Sequence, residues 1–165
     1  MSLSTFELLD DVPHPLAIIA AGKYDEVGKR GGMTAAWLSR VSFHPPLMAV
    51  AISPYRHTYK LIIEYRAFTI NLVSKELENI TMEVFGSLSG RDVDKFKACG
   101  IEPLSARRVL APVIPKSPLV IECRYAEDFK IGDHMVVIGE VVDAYRLSDE
   151  VPLIYLKGTS ARVCW

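Results

Sequence analysis

The sequence predicts a mainly β fold with peripheral helices, its strands closing into a barrel. Three observations carry that expectation. Short runs rich in β-branched residues recur along the chain, and Pro, Gly and Asp punctuate the stretches between them. The few helical patterns do not alternate one-for-one with the strands, as a doubly wound parallel sheet requires. At 165 residues the chain suits a single domain over 1–165, long enough to bury a core.

Each element follows in order. Ser4-Thr-Phe-Glu7 before Leu8 and Leu9 has the form of a capping box and predicts a short helix that Pro13 stops. Strands are expected over 14–20, 46–52, 68–73, 119–125, 134–142 and 153–156. Helical patterns run over 58–65, over 74–85 with Leu77, Ile80, Val84 and Phe85 on one face, and over 92–98, where Asp92 is a candidate cap and Gly100 a C-terminal stop. Residues 112–118 read as a loop. No repeat, low-complexity tract or dividing linker is present.

Composition narrows the function classes. A net charge of -1 is too low for a dedicated nucleic-acid or membrane-surface binder, so any bound anion must be met locally. The first dozen residues lack a signal-peptide pattern and no apolar run reaches membrane-spanning length, so a cytoplasmic protein is expected. The 50% hydrophobic content hints at a buried subunit interface. Cys99, Cys123 and Cys164 lack CxxC spacing, which argues against zinc or a disulfide framework, and no metal is expected.

Two stretches carry candidate chemistry. Ser53-Pro-Tyr-Arg-His-Thr58 follows an apolar strand and precedes a helix whose first turn offers free N–H groups and a positive dipole end. Ser53, Arg56 and Thr58 have the parts of a phosphate site, two hydroxyls and a bidentate cation. The same residues also read as a turn, a solvated loop and a plain cap. In Gly31-Gly-Met-Thr-Ala-Ala-Trp37, small residues between Met33 and Trp37 suit a flat ring lying against backbone amides; a β-bulge beside a buried Trp is the alternative.

These segments, with Val41-Ser-Phe-His-Pro-Pro-Leu47, Phe68-Thr-Ile-Asn71, Ser89-Gly-Arg-Asp-Val-Asp-Lys-Phe96, Gly132-Asp-His134 and Gly139-Glu-Val141, stand in an order that resembles the flavin reductase-like, FMN-binding split-barrel family, flavoredoxin-like members included. The similarity runs over roughly 13–158. It implies an antiparallel split β-barrel, a homodimer, bound FMN, and NAD(P)H as co-substrate. Met33, Thr34, Ala35, Ala36 and Trp37 would then line the isoalloxazine, and Ser53, Arg56 and Thr58, with His57 adjacent, would hold the ribityl phosphate. Asn71 would face the same pocket, Ser89, Gly90, Arg91 and Lys95 would lie near the flavin, and His134 would stand on the nicotinamide side as the catalytic residue. His134 also reads as a strand-end histidine bonded to a backbone carbonyl beside Asp133, and Arg91, Asp92 and Lys95 as a solvated turn.

The chain departs from the family pattern at Gly32 and Ala36, where Asn and Ser are frequent, and its end, Gly158 to Trp165, lacks a usual aromatic pair. The resemblance implies an NAD(P)H:flavin oxidoreductase delivering electrons to flavin, ferric complexes, oxygen or an electron-acceptor protein. A non-enzymatic FMN carrier and a flavin-free barrel acting as an interaction module are the competing readings.

Overall fold

Ser4 opens the first helix as its sequence predicts. In the computed structural model, which describes residues 4–164, the Glu7 carboxylate accepts the Ser4 N–H at 2.6 Å while Ser4 Oγ accepts the Glu7 N–H, starting α1 (Thr5–Leu9). Trp165, the last residue of the atypical C-terminus, lies outside the described residues. The chain continues through β1 (His14–Pro15), β2 (Ala17–Gly22), β3 (Arg30–Ala35), β4 (Leu38–Ser42) and β5 (Leu47–Ile52) to α2 (His57–Tyr65) and β6 (Ala67–Leu72). A 3-10 turn (Lys75–Leu77), α3 (Glu78–Ile80), a π turn (Thr81–Phe85) and α4 (Lys95–Ala98) follow. Then come β7 (Leu104–Ser105), β8 (Pro112–Val113), β9 (Val120–Ile131), β10 (His134–Tyr145), β11 (Ile154–Leu156) and β12 (Thr159–Ala161).

Seven strands form one antiparallel sheet in the order β3-β2-β6-β9-β10-β5-β4. The sheet curls until β3 comes against β5, but no ladder joins its edges β3 and β4. This is the antiparallel split barrel that the sequence predicts. Alternation along β2 shows why the strand is buried throughout: Ala17, Ile19 and Ala21 point into the barrel with Val50, Phe68 and Val137, while Leu16, Ile18 and Ala20 pack outward against Leu77, Phe85 and Phe96. The helices over 75–98 therefore close a second core on the outside of the barrel.

Several local expectations need correction. Residues 112–118 are not all loop, because β8 pairs with β7. The helix over 74–85 breaks into 3-10, α and π turns; Thr81 Oγ1 donates back to the Leu77 carbonyl at 2.7 Å, a bond that bends helices. Asp94, not Asp92, caps α4, its Oδ1 accepting the N–H groups of Phe96 and Lys97 at 3.0 and 3.1 Å. Gly100 does end that segment, in the left-handed region at φ 69°. Among the described residues no helix is long and apolar enough to cross a membrane.

Candidate functional site

The site is built on β3 and the start of α2. β3 pairs with β2 along one edge only, and its other edge, which carries no ladder, comes against β5. A Cβ on Gly32 would sit 2.8 Å from the Phe85 ring, so this residue is small because the outer core presses against the strand. Packing accounts for the departure from Asn at that position. Beyond it, Met33, Thr34, Ala35, Ala36 and Trp37 line a cavity of about 620 Å³, completed by Ser53, Arg56 and His134. The Thr34 hydroxyl donates to the Thr81 carbonyl, tying the strand to the π turn.

Around the bend lies a second cavity, of about 140 Å³, lined by Arg56, His57, Thr58, Ser89, Gly90 and Lys95. Met33, Arg56 and Ser87 line both, so the two form one bent cleft. α2 begins at His57 with Arg56 in the capping position and no side-chain cap, so side chains leave its first N–H groups without an acceptor. Thr58, in its first turn, is buried.

The electrostatics of the small cavity are one-sided. Lys95 is only 4% exposed, and its Nζ donates to the Phe85 carbonyl at 2.9 Å. Burial, with the Arg56 charge nearby, pushes its pKa down to about 8. Burial also lowers the His57 pKa, helped by the charges of Lys60, Arg91 and Lys95. No carboxylate lines this cavity, and among the described residues Arg56 makes no ion pair. The adjacent acid, Asp94, is committed to Arg30 at 2.9 Å, a pair with side chains 7% and 4% exposed. A cluster of cations of this kind, with no acid lining the cavity, suits an anion.

The outer end of the cleft is different in kind. Trp37 is 55% exposed, and its ring centroid lies 5.0 Å from that of His134. His134 Nδ1 bonds the Asp133 side chain at 2.7 Å, not a backbone carbonyl, and this contact holds the Asp133 carboxyl below its usual range.

Three expected ligand contacts do not sit where the sequence reading puts them. Asn71 does not line the cleft: its amide is buried, Nδ2 donating to the Ile18 carbonyl at 3.0 Å and Oδ1 accepting the Ile114 N–H at 2.9 Å. Ser53 faces the large cavity and not the cationic one. Arg91 also lines neither cavity; its Nη2 donates to the Tyr55 carbonyl at 2.8 Å. Tyr155, Met82 and Ser87 complete the cleft without having been singled out, since pairing of β11 with β1 and the π turn bring in the first two. Gly86-Ser87 was the only local signal among them, a small hydroxyl residue at a helix end.

In this split barrel a cleft of mixed polar and apolar lining bends into a cationic pocket at a helix N-terminus. The chain is a member of the flavin reductase like domain family, which matches residues 9–163. It is 32% identical over 145 residues to a protein of Aeropyrum pernix, covering 87% of this chain and 54% of that one, so the chain spans about half the length of that relative. It is 27% identical over 131 residues to "FMN reductase (NADH) RutF" of Pseudomonas syringae, covering 79% of this chain and 71% of the relative. Among solved structures, flavoredoxin of Desulfovibrio vulgaris superposes with a TM-score of 0.85 at 26% identity, covering all of this chain and 94% of the other.

Proposed function

We propose that this protein is an FMN-binding oxidoreductase that takes hydride from NAD(P)H and passes electrons to a flavin, ferric or protein acceptor. The observation that carries the reading is the bent cleft: a ring-sized cavity joined through Met33 and Arg56 to a small pocket with cations and no acid. The residues fit FMN. Thr34 to Ala36, between Met33 and Trp37, offer small side chains and backbone amides to a flat ring, while Arg56, Thr58, Lys95 and the first N–H groups of α2 receive the phosphate dianion. Bound flavin supplies the redox chemistry, and the protein's part is positioning and electrostatics.

His134 and Trp37 stand at the open mouth, where a nicotinamide can reach the ring, and His134 is the residue we assign to that side. Edge strand β4 and its flanks leave Trp37, Val41 and Phe43 more than half exposed, an apolar face suited to a second copy of the chain, so the working unit is a homodimer. A second reading, an FMN carrier without nicotinamide turnover, draws on the likeness to flavoredoxin. Arg56→Ala tests the site: FMN affinity falls by about tenfold or more while the unfolding transition is kept, because a charge-assisted phosphate contact is lost. Unchanged affinity would place the phosphate elsewhere. Anaerobic mixing of the yellow holoprotein with NADH and then NADPH separates the two readings, bleaching indicating a reductase and persistent yellow with both a carrier.

A further inference from the structure

The segment over 86–94 arches across the small cavity and is held down from three sides. Gly90 touches α2 so closely that a Cβ there would lie 3.0 Å from His57 Cδ2. Ser89 fixes the turn from within, its Oγ accepting the Arg91 N–H and its carbonyl accepting the N–H groups of Asp92 and Val93, each at 3.2 Å. Arg91 then reaches over to the 53–56 turn, Nη2 donating to the Tyr55 carbonyl at 2.8 Å. Tyr55 is 81% exposed and Arg91 is exposed too, so this bridge lies on the solvent side of the cavity.

The geometry points to Arg91 as a specificity-determining residue: its bridge braces Tyr55, which lines the cationic pocket, as the outer wall of that pocket, so the site accepts a terminal phosphate monoester and excludes a dinucleotide. The inference rests on the flavin reading above and sharpens it to FMN over FAD. The volume agrees. Pockets for drug-sized groups run from about 300 Å³ upward, whereas this one, at about 140 Å³, has room for a phosphoryl group and little else. FAD carries a second phosphate and an adenosine beyond the terminal phosphate of FMN, and a pocket of about 140 Å³ walled by the braced Tyr55 has no room for them.

The test is an equilibrium titration of wild type and Arg91→Ala with riboflavin, FMN and FAD, read by flavin fluorescence. Wild type is expected to bind FMN at least about tenfold more tightly than either of the other two, roughly the step that 1.4 kcal/mol produces. In Arg91→Ala, FAD affinity rises several-fold and the FMN-to-FAD ratio shrinks, while the FMN-to-riboflavin ratio stays large because Arg56 and Lys95 remain. Equal affinity of wild type for FMN and FAD overturns the inference but leaves the flavin reading standing. A variant that loses FMN and FAD in equal proportion also overturns it, since Arg91 then acts as a phosphate charge and not as a wall. Binding of no flavin by wild type brings down both readings.

Discussion

The two ends of the cleft are made differently. At the inner end Lys95 is buried and held by the Phe85 carbonyl, the neighbouring Asp94 is held by Arg30 on β3, and Arg56 beside them is exposed. At the outer end Trp37 and His134 are partly exposed, touch each other's rings, and lean on Asp133, itself almost fully exposed. The inner end is therefore part of the fold's stability, and the outer end is nearly separable from it. Substitutions should divide along this line: at the buried inner residues they change stability and affinity together, at the exposed Arg56 they change affinity alone, and at the outer end they change turnover alone.

The largest effect is expected at Asp94. Asp94→Ala leaves the buried Arg30 guanidinium with the Tyr24 carbonyl and a 3.9 Å contact to the exposed Glu102 but without its close carboxylate, and removes the cap of α4. Breaking one side of a buried pair costs about 3–5 kcal/mol, a large share of a domain's stability. Urea unfolding should show the midpoint falling by a corresponding amount, with FMN affinity lost alongside because Lys95 follows Asp94 directly. A midpoint near wild type would mean that the pair is solvated and that the inner end is not built as described.

Next in size is Gly32→Ala. The added Cβ would meet the Phe85 ring at 2.8 Å and the Ile19 carbonyl at 3.2 Å, between two packed layers. Overpacking of this kind costs about 1–3 kcal/mol. Thermal unfolding should show the loss, and flavin affinity should fall with it because Met33 is adjacent. Stability equal to wild type would show that Phe85 can withdraw freely.

How far the sequence could be read follows the same division. The turn 53–58, the β3 segment and the strand-end His134 are local patterns, and each lies on the cleft. The Arg30–Asp94 pair spans 64 positions and carries no local signal at all. Asn71 was misplaced for a specific reason. β6 is buried on both faces, so a period of two gives no way to choose which side a polar residue takes, and the fold uses this amide to satisfy the Ile18 carbonyl and the Ile114 N–H. Ser53 lies one residue past the end of β5, where a small rotation sends its side chain to the ring cavity instead of the pocket. Strands β3 and β4 are short and small or polar in composition, which weakens the apolar alternation that identifies strands.

Lys95 gives an effect of intermediate size that depends on pH. Its pKa in the folded protein, about 8, lies below the ordinary 10.5, so the unfolded chain holds this proton more tightly. Below pH 8 the charged amine is buried at a cost, which is relieved as pH rises from 8 towards 10.5; for this group, stability therefore increases with pH across that window. Phosphate binding runs the opposite way, because the ammonium that meets the dianion is lost above pH 8. The FMN dissociation constant should rise there by up to about tenfold per pH unit, while that of riboflavin stays flat. Lys95→Met should weaken FMN binding at neutral pH and remove the slope; a slope that survives the substitution assigns the titration to another group.

The smallest structural effect, and the one that best separates the two ends, is expected at His134. Its imidazole contacts Trp37 and an exposed carboxylate, with no core packing to lose, so His134→Ala should leave the thermal midpoint and FMN content at wild-type values. Steady-state turnover with NADH should fall nevertheless, with the change in kcat or KM showing whether the imidazole orients the nicotinamide during the transfer step or only helps to bind it. His134→Gln keeps a hydrogen-bonding side chain at the strand end and is expected to recover part of the binding but not the ring contact with Trp37. Loss of flavin in either variant would show that the outer end also holds the cofactor, and the division between the two ends would fail there. Turnover unaffected in both would leave His134 as a strand-end residue paired with Asp133 and pass the nicotinamide side to Trp37 and Tyr155.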